Sequence, residues 1–300
     1  MKLKSKIFYC YAALVIVFTL LTLLPTPDKA TLIKYHLSAS GLRFLTLTLL
    51  IPEFAIWLAA FYGYAALQRY SRLIHSAADG QQIAKLAQGL FMLAIGLPVS
   101  AIVSSVLAII ASHHPPFQAT SVIINNYFAV VFPLLAFWLI AAGARGLTNF
   151  SKNRPPYWLQ QAVILATLVL GVGFCCLVVL DHAQLRSTYH MSPELVMLTL
   201  GIPYMYIWCL GLMGVAELRT YSQKVGGVVY RKGWRLLIYG IGSIVLLSIL
   251  IQYLSTLSTW LTSLSLGPVL LLLYVLLLLL TAAYIVVALG TKQLRKIEEA

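Results

Sequence analysis

Long apolar runs separated by short polar segments dominate the pattern along the chain. A helix needs about 20 consecutive apolar residues to cross the hydrocarbon core of a bilayer. Runs of this length suit helices better than barrel strands, because every backbone group at that depth must be satisfied within the element. We therefore predict an all-α membrane protein. Its eight transmembrane helices cover Ile7–Leu24, Phe44–Leu67, Leu90–Ala111, Val122–Ala144, Leu159–Leu180, Leu195–Ala216, Leu236–Leu257 and Val269–Leu289.

Composition supports a membrane protein and argues against nucleic-acid binding. Hydrophobic residues make up 61% of the chain and charged residues only 10%, whereas about 25% are charged in an ordinary soluble domain. The 21 Lys and Arg outnumber the 8 Asp and Glu. These basic residues lie between the apolar runs rather than in one patch, so we expect them to orient the protein in the membrane.

The distribution of basic residues predicts the orientation. Seventeen of the 21 lie in the N-terminal segment, the even-numbered loops and the C-terminal tail. Only Lys29, Lys34, Arg43 and Arg186 lie in the odd-numbered loops. Because positive residues concentrate on the cytoplasmic side, both termini are predicted to be cytoplasmic. The default location is the cytoplasmic membrane of a prokaryotic cell.

The first apolar run has a second interpretation as a signal peptide, since the basic segment Met1–Lys6 precedes it. The best cleavage position follows Ala30, which places Asp28 where a small residue is required. The run is also longer than most signal sequences. We therefore predict a retained helix.

Two stretches separated by half the chain are similar to each other. Segments 51–71 and 202–222 are identical at nine of 21 positions, where chance in such apolar sequence gives roughly two. Tyr35–Ser38 and Tyr189–Ser192 share a Tyr-His-x-Ser pattern, and Gly143–Leu147 is echoed by Gly290–Leu294. The pattern predicts two tandem four-helix repeats, residues 1–150 and 151–300. Each repeat has an even number of spans, so a pseudo-two-fold axis along the membrane normal should relate them.

Glu53 is the most unusual residue within the predicted spans, because an ionised carboxylate there costs on the order of 3 kcal/mol. It should therefore face the bundle, find a donor or be protonated. Its counterpart in the repeat is Tyr204, whose hydroxyl is a candidate partner. We interpret Glu53 and Tyr204 as part of a substrate or ion pathway. The alternative is a protonated Glu53 that holds neighbouring helices together.

Other polar and helix-breaking residues extend this candidate pathway. Pro52 and Pro203 interrupt the backbone hydrogen bonds of spans 2 and 6, and broken helices often line transport sites, although kinks also serve packing. Asn125, Asn126 and Gln252 are amides at membrane depth. Such amides either bond helices together or line a polar cavity.

Five of the six histidines are predicted on the outer face. With Asp181 and Glu194 they are candidates for a transition-metal site or for pH sensing, although their spacing matches no ligand signature. N-cap and interfacial roles are the favoured explanation of the Tyr-His-x-Ser segments. No other cofactor is predicted. The metal candidates are His36, His113, His114, His182 and His190.

Three functions remain open. The first is a permease or channel-like protein with a site between the repeats near Glu53; the second is a non-catalytic subunit or sensor of a larger membrane assembly. Two four-helix halves also resemble, in architecture alone, the quinone-binding membrane subunits of some oxidoreductases, which implies an intramembrane or quinone-linked enzyme. Common NTPase and hydrolase motifs are missing from the sequence, so an enzyme is less favoured. Expected partners are membrane lipids, a further copy of the chain or other membrane proteins, but not nucleic acid.

Overall fold

The computed structural model describes residues 39–74, 76–113, 118–150, 155–180, 201–225, 228–260 and 266–298, with a few isolated positions elsewhere. Within these residues the chain forms seven long helices and no strand. The helices are α1 (Ala39–Leu73), α2 (Ala77–His113), α3 (Gln118–Phe150), α4 (Tyr157–Leu180), α5 (Ile202–Lys224), α6 (Val228–Trp260) and α7 (Leu266–Glu298).

Six of these helices are long and apolar enough to cross a membrane, so the chain is a multi-pass integral membrane protein. The spanning segments are Leu50–Leu73, Ala77–Leu107, Val130–Asn149, Tyr157–Leu177, Tyr230–Leu254 and Tyr274–Lys296.

Two of the eight predicted spans are not among these six. The first, Ile7–Leu24, lies almost entirely outside the described residues, although the few positions described within it are helical. The sixth, Leu195–Ala216, is described as a regular α-helix only from Ile202. Helix α5 then continues into the polar stretch Glu217–Lys224, which lowers its apolar content over the described length.

Six helices form a closed ring in which each packs against two neighbours. The order around the ring is α1, α2, α3, α5, α6 and α7, and α7 returns to α1. Helix α4 lies outside the ring against α5 and α6. Two contacts, α1 with α7 and α3 with α5, join the N-terminal to the C-terminal half of the chain.

Short connections place one set of helix ends together, because α1 and α2, α3 and α4, and α5 and α6 are joined by only a few residues. We call this the basic end, since Arg72, Arg145, Arg219 and Arg231 lie near it.

The interior of the basic end is tightly packed. Trp234 is fully buried there between the rings of Tyr70 and Tyr221, with centroids 6.4 and 5.1 Å away. Burial and the nearby Asp79 carboxylate raise the pKa of Tyr221 to about 12, so its hydroxyl stays protonated.

Glycines allow the ring helices to approach closely at corresponding places in the two halves. A Cβ on Gly89 would lie 2.8 Å from the carbonyl oxygen of Ala136, and a Cβ on Gly240 would lie 3.0 Å from that of Ala283. These glycines are separated by half the chain, as are the two alanines. Two further glycine pairs make contacts with the same spacing along the chain, which are close for Gly143 and Gly290 and looser for Gly63 and Gly214.

The prolines at the paired positions have different environments. Pro52 lies inside α1, and its carbonyl accepts a 3.3 Å hydrogen bond from the Thr281 hydroxyl on α7. Pro203 lies in the first turn of α5, where a missing N–H costs little. Of this pair, only Pro52 interrupts the interior of a described α-helix.

Candidate functional site

A cavity of about 260 Å³ lies inside the helix ring. Five of the six ring helices line it, and only α1 contributes no residue. The cavity is lined by Met92, Leu93, Gly96 and Ser100 of α2; Phe132, Pro133 and Phe137 of α3; Tyr204 and Ile207 of α5; Ile244, Ser248, Ile251 and Gln252 of α6; and Leu280 and Tyr284 of α7.

One hydrogen bond joins two of the residues that the sequence singled out. The Gln252 amide nitrogen donates to the Tyr204 hydroxyl oxygen at 2.8 Å, linking α6 to α5 across the cavity wall. Tyr204 is buried and Gln252 is half-buried. Because the Tyr204 oxygen accepts this bond, its own proton is directed elsewhere.

An aromatic cluster holds the Tyr204 ring in place. Trp208, one turn further along α5, is fully buried and stacks on Tyr253 with centroids 6.1 Å apart. Phe174 of α4 meets Tyr204 and Trp208 edge-on at 6.3 and 5.6 Å. The Tyr253 hydroxyl donates to the Leu170 carbonyl of α4. Helix α4 therefore packs against the cavity wall from outside the ring and stabilises it.

The two serines of the cavity direct their protons to backbone carbonyls. Ser100 donates to Phe128 on α3 at 3.2 Å, and Ser248 donates to Val245 within α6 at 2.7 Å. Their oxygen atoms remain as acceptors. No residue that lines this cavity carries a formal charge.

The other candidate residues lie elsewhere. Glu53 is half-buried on α1 but is not part of the cavity wall, and neither are Pro52 and Pro203. Asn125 and Asn126 lie in the first third of α3, and their side chains are outside the described part of the structure.

Most of the histidines that we considered as metal ligands lie outside the described residues. His36, His114, His182 and His190 are not described, and His113 is placed only as the last residue of α2. Among the residues that are described, no three His, Cys, Asp or Glu side chains lie close enough to hold a metal ion.

A buried carboxylate away from the cavity was not anticipated from the sequence. Glu217 is only 6% exposed, and the Thr148 hydroxyl donates to it at 2.6 Å, which joins α5 to α3 near the basic end. Glu217 directly follows the sixth predicted span, Leu195–Ala216, and was not among the candidate residues. Its repeat counterpart Ala66 was the available signal, because an acid replaces a small apolar residue there.

No protein family model matches the chain, and neither a curated protein nor a solved structure is similar to it.

Proposed function

We propose that the protein is a permease-like carrier that binds a small, neutral, amphipathic molecule in the cavity between its two halves. The observation that carries this proposal is the Tyr204–Gln252 hydrogen bond, which places a polar pair in the wall of an otherwise largely apolar cavity. In transporters built from repeats, substrates bind near the bilayer midplane at the interface between the repeats.

The proposal includes two tandem four-helix repeats, 1–150 and 151–300, related by a pseudo-two-fold axis along the membrane normal. The helix neighbours support it: α1 contacts α2 and α7, and its counterpart α5 contacts α6 and α3. The glycine pairs described above support it as well. When each helix is replaced by its counterpart in the other half, each of these contacts becomes another contact that is present in the structure.

The composition of the cavity wall supports a site on that axis. Several lining residues occur as counterpart pairs from the two halves, separated by half the chain. These pairs are Leu93 with Ile244, Ser100 with Ile251, Pro133 with Leu280 and Phe137 with Tyr284. A cavity lined by both members of several pairs lies where the two halves meet.

We further propose the eight-span arrangement in a cell membrane with the basic end and both termini in the cytoplasm. The support is the positive-inside rule applied to 17 of the 21 basic residues. Residues with exposed apolar side chains, such as Leu58, Leu165 and Leu246, would then contact lipid chains.

Tight packing at the basic end favours a carrier over an open channel. Ile83, Leu86, Leu147 and Trp234 are all essentially unexposed between the cavity and that end. Passage to the cytoplasm would therefore require the two halves to move relative to each other, as in alternating access.

The accessibility of an introduced cysteine tests the proposed carrier function even though the substrate is unknown. Ser248→Cys, made with the native cysteines replaced by alanine, puts a thiol in the cavity. A carrier should allow a membrane-impermeant maleimide to modify this thiol from either side of sealed proteoliposomes, because each side opens in turn. The measurement is the labelled fraction of protein with reagent added outside or trapped inside.

The matched control is Leu246→Cys on the same helix, which is 60% exposed on the outer surface of the bundle and should resist labelling within lipid. Labelling of the cavity thiol from one side only would overturn the carrier. That result would favour a sensor or a subunit of a membrane assembly.

A further inference from the structure

The two halves contribute different chemistry to the cavity. Most of its polar side chains come from the C-terminal half: Tyr204, Ser248, Gln252 and Tyr284. The N-terminal half supplies Ser100 and otherwise an apolar wall. A bound molecule would therefore place its polar group on one side and its apolar body on the other.

The tyrosine hydroxyls of the polar wall favour an acceptor on the ligand. Both serine protons already go to backbone carbonyls. The Tyr204 oxygen accepts from Gln252, which leaves its proton to be donated and strengthens it as a donor. Tyr284 lines the same cavity, where its counterpart Phe137 has no hydroxyl. Two tyrosines, whose hydroxyls can donate, therefore line one cavity.

The apolar wall can accommodate an aromatic ring of a ligand. Met92, Phe132 and Phe137 line it, and a thioether and aromatic faces make favourable contacts with a further aromatic ring. A volume of about 260 Å³ is below the roughly 300–1,000 Å³ of pockets for drug-sized ligands, so one or two rings would fill it. An ionised ligand would be buried without a countercharge from the lining residues.

We infer that the cavity binds a neutral molecule of one or two rings that carries a carbonyl-type acceptor. The acceptor bonds the hydroxyls of Tyr204 and Tyr284, and the rings lie against Met92, Phe132 and Phe137. This inference rests on the proposed role of the cavity as a binding site, and it names the class of molecule bound there.

Benzophenone tests this inference directly, because it is a neutral two-ring ketone that attaches covalently to nearby C–H bonds under ultraviolet light. With the full-length protein in proteoliposomes, we expect an adduct on Met92, located by mass spectrometry, and little on Met213 outside the cavity wall. Ser248→Phe, which fills the cavity, should reduce the Met92 adduct at least fivefold. Leu246→Phe on the exposed face of the same helix should not change it.

A competition experiment separates the contribution of the carbonyl acceptor to binding from the contribution of the rings. 1-Indanone should block the Met92 adduct at a concentration about tenfold lower than indane, which has the same two rings without the carbonyl; one hydrogen bond of about 1.4 kcal/mol corresponds to that factor. Tyr204→Phe should remove most of this preference. Tyr284→Phe should reduce it too, and this change reproduces the residue of its counterpart Phe137, so it provides a second readout if Tyr204→Phe does not fold.

The outcomes distinguish this inference from the carrier proposal. Equal competition by 1-indanone and indane would overturn the carbonyl assignment. Absence of a Met92 adduct, or one unaffected by Ser248→Phe, would overturn the ligand class altogether. Neither result depends on whether the thiol of the Ser248→Cys variant is labelled from both sides of the membrane, which tests the carrier alone.

Discussion

At the scale of single residues, one difference between the two halves places a polar side chain in the cavity wall. Tyr204 and Glu53 occupy corresponding positions in the proposed repeat. Only Tyr204 lines the cavity, where it bonds Gln252, while Glu53 is half-buried on the one ring helix that contributes nothing to the wall. The candidate site therefore moves away from Glu53 toward its counterpart.

The Tyr204–Gln252 bond should make a measurable contribution to stability. We expect Tyr204→Phe and Gln252→Leu to be coupled by about 0.5–1.5 kcal/mol, since either change alone already removes the bond that the two residues share. The measurement is a double-mutant cycle of unfolding free energies in mixed detergent micelles. Additive effects would mean that the bond is not formed in the protein.

At the scale of helices, close approach in the ring depends on glycine. Gly240 of α6 faces the backbone of α7, where a Cβ would lie 2.8 Å from the Val287 nitrogen. Gly242, two residues along the same helix, has only the Val215 side chain nearby, at 3.8 Å. Small residues at such interfaces allow van der Waals contact between helix backbones within a membrane.

Gly240→Ala should therefore destabilise the protein by about 1–3 kcal/mol, because the backbone of α7 must shift to admit the methyl group. Gly242→Ala should cause no loss, since space is available and alanine has the higher helix propensity. Unfolding free energies of the two variants compare them directly. Equal destabilisation would contradict the packing of α6 on α7.

At the scale of the whole molecule, each half of the chain forms one continuous arc of the ring, and the two arcs meet at two places. The contacts of α1 with α7 and of α3 with α5 cross between the N-terminal and C-terminal halves. The cavity inside the ring consequently draws its wall from both halves. The proposed carrier function also depends on how the ring is oriented in the membrane.

The proposed orientation predicts opposite labelling of two exposed positions. Gln81 lies near the start of α2 at the basic end, and Thr120 lies near the start of α3 at the opposite end. In intact cells an impermeant maleimide should modify Thr120→Cys and leave Gln81→Cys unmodified until the membrane is permeabilised. The reverse pattern would place both termini outside.

The sequence predicted the elements better than the site. Apolar runs identify membrane helices because a buried backbone must satisfy its hydrogen bonds locally, and six of the eight predicted spans match spanning helices in the structure. Tyr204 and Gln252 were recognised as polar groups at depth. Their pairing was not predicted, because a linear pattern does not reveal which helix faces another.

The same limit explains Glu217 and the cavity itself. Glu217 has the sequence context of a loop residue, yet it is buried because α5 packs against α3 and presents it to Thr148. Met92, Phe132 and Phe137 are ordinary apolar residues in the sequence. They form part of the cavity wall only because the ring leaves space between them.

The sequence alone determined that this chain lies in a membrane, since its long apolar runs and few charges leave too little polar surface for water. It also supplied the internal similarity and the charge asymmetry, which are local properties of the chain. The tertiary structure decided the order of helices in the ring, the cavity inside it and the position of Tyr204 rather than Glu53 in its wall. These features depend on close packing between helices distant in sequence, and hydrophobicity does not encode which helices become neighbours.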